Sequence, residues 1–255
     1  MILLMDTNES KLKSLTKALA VLDCFSVENN ELGVTELSKM LGLYKSNVHN
    51  ILSTFEDCGY IVQNKDNGKY RLGLKILQLS HIVSSSIEQR NIINKCIDEL
   101  AGQIDEIVYF GIPDDDKVMY IDGSFPSKLY NTRWIHGMTA PLYCTGIGKA
   151  MLAYMPEEII AKIVSEELAR FTDTTIIDPT ELYDELKRIR DRGYSIDNME
   201  HEYGVKCVGV PVFNHRNELV GAISTTGPSL RFGHENIELF AELLIGKAEY
   251  LKKYL

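Results

Sequence analysis

The feature that most constrains this chain is a succession of three short amphipathic helical patterns closed by a strong hairpin signal. From Leu12 the apolar residues Leu12, Leu15, Leu19 and Leu22 recur at spacings that make one face of a helix, and the pattern fades near Phe25. After a turn at Glu28-Asn29-Asn30, Thr35 is positioned to cap a second helix with Glu36 favourable in its first turn. Leu37, Met40 and Leu41 are its expected buried residues, and Gly42 its stop. In the third pattern Val48, Ile51, Leu52 and Phe55 share a face at i, i+3, i+4 and i+7. Cys58-Gly59 breaks it, and the segments Tyr60–Gln63 and Lys69–Leu72 read as strands joined through Asn67-Gly68.

That order is the order of a winged helix-turn-helix, with the third helix as the candidate reader of DNA. Its other face carries Tyr44, Lys45, Ser46, Asn47, His49, Asn50 and Ser53, short polar hydrogen-bonders suited to a major groove. Lys65 and Lys69 flank the hairpin tip and Arg71 stands just behind, where a wing reaches phosphates. The same pattern is compatible with a helical module that binds another protein. Charge bears on the choice: residues 1–75 hold nine basic and nine acidic side chains, so the rest of the chain carries the whole net charge of −9. A neutral part and an acidic part suggest two domains with different partners, and repulsion from DNA would keep the acidic one away.

Beyond Gly73 a helical stretch to about Ser84 bears Leu74, Leu77 and Ile82. It reads either as a linker that also pairs protomers or as an ordinary packed helix. A helix from about Ile87 to Leu100 follows. Strands at Ile107–Ile112 and Val118–Ile121 then flank the turn Asp114–Lys117. Helices are expected from Gly146 to Tyr154, from Pro156 to about Ala169, and from Pro179 to Arg192. Strands at Val208–Phe213 and Leu219–Ser224 precede a terminal helix from about Glu235 to Tyr254. Ile237, Phe240, Leu244, Ala248 and Leu251 face inward on that helix, and Lys252 and Lys253 suit its C-terminal dipole. Hairpin-like strand pairs covered by helices indicate an α+β fold with an antiparallel sheet.

Several chemistries find no support. Gly146-Ile147-Gly148-Lys149 falls short of a phosphate loop, since Tyr143 and Ala150 stand where Gly and Ser or Thr are needed. A glycine-containing turn opening a helix can still offer backbone N–H groups to a small anion. Glu200-His201-Glu202 lacks a second histidine at ligand spacing, so neither metal nor cofactor is expected. The cysteines (Cys24, Cys58, Cys96, Cys144, Cys207) are scattered, odd in number and free of C-x-x-C pairs, against a disulfide framework or thiolate zinc site. Met1–Met5 is too short for a signal-peptide core, and no run approaches the roughly 18 apolar residues of a membrane span. The expectation is a reduced, cytoplasmic protein with no membrane partner. Cys207 with His201 or His215 could be imagined as nucleophile and base, though a small buried cysteine is the commoner arrangement.

From about Leu12 to Leu251 the sequence resembles the IclR family of bacterial transcription regulators. The resemblance rests on Lys11–Leu19, Lys45–Leu52, Gly59–Val62 and Tyr70–Gly73, and then on Gly146–Ala153, Arg192–Asp197, Gly204–Val212 and Ala222–Pro228. It implies a winged helix-turn-helix over residues 8–73 that binds double-stranded operator DNA as a homodimer or tetramer. A linker helix over 74–86 and a GAF-like effector domain over 87–255 would follow. It also implies an effector pocket made by Gly146, Ile147, Asp197, Val205, Cys207, Ser224 and Thr226. There the N–H groups and the two hydroxyls would hold a small carboxylate without a fixed cation, Asp197 would accept from a ligand hydroxyl, and Cys207 would fill a small apolar wall. Asn47 and Asn50 depart from the residues usual at those places, as does Tyr143, where histidine is frequent, and Trp134 is a candidate for the pocket wall. The resemblance implies a regulator, here expected to be a repressor and not an enzyme. The competing readings are a metabolite sensor acting through a protein partner and an enzyme using Cys207 and Asp197.

Overall fold

The computed structural model describes residues 12–85, 89–126 and 137–255. Lys11, Trp134 and the apolar stretch at residues 1–5 lie outside them. The chain divides into two compact units, Met1–Ile87 and Glu88–Leu255.

In the first unit α1 (Lys13–Leu22), α2 (Val34–Leu41) and α3 (Lys45–Asp57) precede a two-stranded wing, β1 (Ile61–Gln63) and β2 (Tyr70–Leu72). Val21, Leu37, Leu52 and Ile61 are fully buried, each contributing about 1.5–3 kcal/mol by removal from water. The leucine face of α1 points elsewhere: Leu12, Leu15 and Leu19 are half or more exposed, and Ala20 and Val21 meet the core instead. α2 also begins differently from expectation. Gly33, not Thr35, is the N-cap, because its extended backbone lets Glu36 reach back and accept its N–H at 2.6 Å. Met40 is exposed while Leu37 and Leu41 are buried, and Gly42 ends the helix in the left-handed region at φ +63°. The wing is antiparallel in the register Ile61↔Leu72, but its connection runs from Asn64 to Lys69 and is longer than a two-residue Asn67-Gly68 turn. Asn64 and Asn67 side chains both donate to Glu31, which ties this longer loop down. Leu32 adds a bridge to Tyr70, so the wing has a third short edge. α4 (Lys75–Ser85) follows, with Leu74, Leu77 and Ile82 exposed within this unit, unlike an ordinary packed helix.

The second unit is built on a six-stranded antiparallel sheet. Its strands are β3 (Ile107–Asp114), β4 (Lys117–Ser124), β5 (Thr139–Pro141), β6 (Ser195–Asn198), β7 (Val205–Phe213) and β8 (Leu219–Pro228), in the order β5-β4-β3-β8-β7-β6. β5 and β6 are strands the periodicity did not indicate, and β7 starts three residues earlier than expected. Helices cover both faces. On one, α5 (Arg90–Ile104) and α9 (His234–Leu251) bury Ile97, Leu100, Phe240 and Leu244 against Val208, Val210 and Val212. On the other, α6 (Gly146–Leu152), α7 (Glu157–Ser165) and α8 (Pro179–Arg192) bury Leu142, Met151, Ile160 and Leu186. Strand alternation explains the division, since β7 turns Val208, Val210 and Val212 to one face and Cys207 and Gly209 to the other. α8 has the predicted bounds, capped by the Asp178 carboxylate on the Glu181 N–H at 3.0 Å and ended by left-handed Gly193. The architecture is α+β, a helix-turn-helix unit followed by an antiparallel sheet flanked by helices.

Candidate functional site

Each unit presents a candidate site among the described residues. In the first, α3 buries Val48 and Leu52 and leaves Lys45, Ser46, Asn47, His49 and Asn50 exposed on its far side, with Tyr44 81% exposed at its start. No side chain caps the N-terminus of α3, so its first N–H groups remain open to an anion. Of the wing cations, Lys65 and Arg71 are exposed. The Lys69 ammonium instead sits 3.0 Å from the Glu36 carboxylate, whose proton affinity is held below the usual range by the Gly33 N–H and then by Lys69. The cap of α2 and the wing are therefore tied together through Glu36.

In the second unit a cavity of about 450 Å³ opens between β7, β8 and the start of α6. Gly146 and Ile147 of α6, Asp197 of β6, Val205 and Cys207 of β7, and Ser224 and Thr226 of β8 all line it. Register explains the grouping: Asp197 pairs with Cys207 across β6 and β7, and Cys207 pairs with Thr226 across β7 and β8. Close backbone approach does the rest. A Cβ on Gly146 would lie 2.8 Å from the Cβ of Cys207, and one on Gly209 would lie 2.4 Å from the Gly146 carbonyl oxygen. Only glycine lets the helix start rest on the strand. Tyr109 and Tyr120, ring centroids 5.4 Å apart, add an aromatic wall, and no Lys or Arg contributes to the described lining.

The Cys207 thiol donates to the Thr226 hydroxyl at 3.1 Å and faces the Asp197 carboxylate at 3.6 Å. Burial, reinforced by the Asp197 charge, pushes its proton affinity well up, so it is held as a neutral thiol. That environment is the opposite of an activated nucleophile. His215 lies two residues beyond the end of β7, whose last residue is already about 20 Å along the strand from Cys207, and its Nδ1 lies 3.1 Å from the Leu255 carbonyl oxygen, so it cannot serve as the base. His201 does line the cavity, with its ring against Phe171.

Beneath Asp197 lies a charge cluster that reading the sequence missed. Lys149 is fully buried and forms an ion pair with Glu200. Asp197 accepts the Glu200 N–H at 2.7 Å. Burial raises the proton affinity of both carboxyls against the pull of Lys149, and that of Glu200 is raised to about 7. Met199, a non-glycine residue at φ +62°, makes the bend that aims Glu200 inward. Threonine hydroxyls hold that bend: Thr172 donates to the Met199 carbonyl at 2.7 Å and Thr175 to the Glu200 carbonyl at 2.6 Å. The available signal was a lysine followed by Ala150-Met151-Leu152 on a helix whose every residue is buried. Tyr143 does not line the cavity. It is buried and donates to the Ala169 carbonyl at 2.7 Å, because its ring packs under α7 and α8.

Comparison with known proteins bears on both units. Residues 14–65 match the family described as IclR helix-turn-helix domain, and residues 81–252 that described as Bacterial transcriptional regulator IclR C-terminal. The chain is 34% identical over 237 residues to the HTH-type transcriptional regulator XynR of Escherichia coli K12, covering 91% of this chain and 93% of that one. To the transcriptional repressor IclR of the same organism it is 29% identical over 245 residues, covering 94% and 88%. Its fold superposes at a TM-score of 0.79 on an IclR homologue from Microbacterium hydrocarbonoxydans complexed with 4-hydroxybenzoate, at 19% identity and with 94% and 99% of the two chains covered.

Proposed function

The chain belongs to the IclR family of bacterial transcriptional regulators, and from that premise we propose that it is a cytoplasmic repressor whose hold on operator DNA is set by a small carboxylate. The regulator class itself, a DNA-binding helix-turn-helix followed by an effector domain, comes with the family. The finer reading has Lys45, Ser46, Asn47, His49 and Asn50 meeting bases and backbone in the major groove, with Lys65, Lys69 and Arg71 on phosphates. Lys69 is the weakest of these, since Glu36 already neutralises it. The functional division is 8–73, 74–86 and 87–255, and the exposed leucines of α1 and α4 suit pairing of protomers in a homodimer or tetramer.

The observation that carries the effector reading is the convergence of Gly146, Ile147, Asp197, Val205, Cys207, Ser224 and Thr226 on one cavity. It joins aromatic and aliphatic walls, among them Tyr109, Tyr120, Ile147 and Val205, to polar groups that converge from several strands, as a small-ligand site does. The name of one relative, a repressor, and the bound 4-hydroxybenzoate of another support the sign of regulation and the carboxylate. A ligand acts by binding better to one of two states of the protein, which shifts their populations. The neutral Cys207 thiol weighs against a cysteine-dependent enzyme.

The test is an anisotropy titration of the full chain against promoter-proximal DNA of its own gene and its neighbours at two salt concentrations. Tight binding that weakens steeply with salt, from counterion release, and is lost in Lys45→Ala/Asn47→Ala is the expected result. A folded oligomer that holds none of these duplexes at either salt, with or without the neighbouring pathway's metabolites, would turn the reading toward a protein partner.

A further inference from the structure

The cavity walls pose a charge problem. An anion entering would meet Asp197, which lines the cavity, and Glu106 and Glu202 beside it, with no lysine or arginine in the described lining to offset them. Glu106 is already matched by the Arg231 guanidinium, and Glu202 is exposed to water. Asp197 is not so matched. Behind it one cation, Lys149, serves two buried carboxyls, Asp197 and Glu200, so the cluster carries one negative charge too many unless it holds a proton. The Glu200 Oε2 atom is buried with no hydrogen-bond partner among the described residues, a position that costs a neutral, protonated carboxyl less than a carboxylate.

Resting on the reading of this cavity as the effector site, we propose that it takes an anionic ligand together with one proton, which the Asp197–Glu200 carboxyl pair holds. Occupancy by a carboxylate then rises as pH falls through neutrality. Lys149 is fully buried and does not line the cavity, whereas Asp197 does, so the proton and not the lysine sets the charge the ligand meets.

The neighbours leave this pair as the place where a proton is gained. Tyr120 of β4, Cys144 ahead of α6 and Cys207 of β7 face it, and burial raises all three so that they stay neutral. Glu200 is raised to about 7 by the same burial. His201 is the other titratable neighbour of Asp197. On the far side Glu200 borders a surface cleft with Arg170, Asp173, Asp178 and Glu181, whose opposed charges face water and are screened.

The experiment uses the full chain with acetate, glycolate and benzoate as probes. Carbon-13 carboxyl shifts from pH 5 to 9 follow Glu200 and Asp197. Calorimetry in two buffers of different ionisation enthalpy counts protons taken up per carboxylate bound. The expected result is close to one proton per ligand at pH 8 and above, little uptake at pH 5 where the pair already holds its proton, and affinity falling about tenfold per pH unit above 7. Glu200→Gln should bind with little pH dependence, whereas His201→Gln should keep the slope. Asp197→Asn provides a second variant should Glu200→Gln fold poorly, and the proton count on the unaltered chain needs no variant. Carboxylate binding at pH 8 without proton uptake, or a slope lost in His201→Gln and kept in Glu200→Gln, would overturn the proposal. Failure of all three carboxylates to bind at any pH, with the Glu200 titration near 7 still present, would overturn the effector reading beneath it and leave the proton site standing.

Discussion

The two units of this regulator treat charge in opposite ways. In the helix-turn-helix unit the buried described residues are apolar save for the Tyr70 hydroxyl, and the ion pair Lys69–Glu36 is nearly half exposed. In the effector unit Glu106, Asp122, Lys149, Glu185, Asp197 and Glu200 are all buried. The difference follows from what each unit has to do. A reader of DNA offers its polar groups outward to a partner that arrives from water, so its interior can stay simple. A sensor has to admit its ligand into the interior, and the groups that recognise the ligand must then be held there by other buried groups. Buried charges are tolerated only when partnered, which makes that interior far more dependent on a few contacts.

The sharpest way to break this comparison is Lys149→Ala. Removing the cation paired with Glu200 leaves buried carboxyls uncompensated, and urea denaturation should show a loss of about 3–5 kcal/mol in the effector unit. A change below about 1 kcal/mol would show that water reaches the cluster. The next effect is on pH dependence. Glu200 keeps its proton to about pH 7 in the folded chain, whereas its ordinary value is 4.5. Its contribution to stability is therefore complete below pH 4.5 and is lost as pH rises toward 7, and the raised Asp197 acts with the same sign. The loss is on the order of 3 kcal/mol, and Glu200→Gln should flatten that part of a stability-against-pH curve. Gly209→Ala should cost about 1–3 kcal/mol by thermal melting, because its Cβ would strike the Gly146 carbonyl, and should weaken carboxylate binding by displacing the start of α6. The smallest effect belongs to the other unit: Lys39→Ala, on the exposed face of α2, should move stability by under about 0.5 kcal/mol. A larger shift there would mean that the first unit also relies on its charges.

Much of the fold was legible. The third helix, the wing strands and α8 were readable because their signals are local: apolar spacing, Asp178 and Pro179 at one end, Gly193 at the other. The face of α1 was misjudged because spacing shows that a stripe exists without showing which neighbour covers it. Leu12, Leu15 and Leu19 form a stripe, yet Val21 holds the core. β6 escaped notice because it has four residues and owes its existence to pairing with β7. The cavity residues were reached through the family resemblance and not through periodicity, and the structure gathers all seven. Lys149 was passed over once the phosphate-loop pattern failed.

By itself, then, the sequence determined what depends on near neighbours: which segments are helical, where α8 starts and stops, and that a polar helix face precedes a basic hairpin. Tertiary structure decided what depends on residues far apart in the chain. Lys149 meets Glu200 across 51 positions, and Arg231 meets Glu106 across 125. No local pattern encodes such pairs, because a charge is stable inside a protein only where the fold brings its partner, and the partner's position is set by sheet register and helix packing.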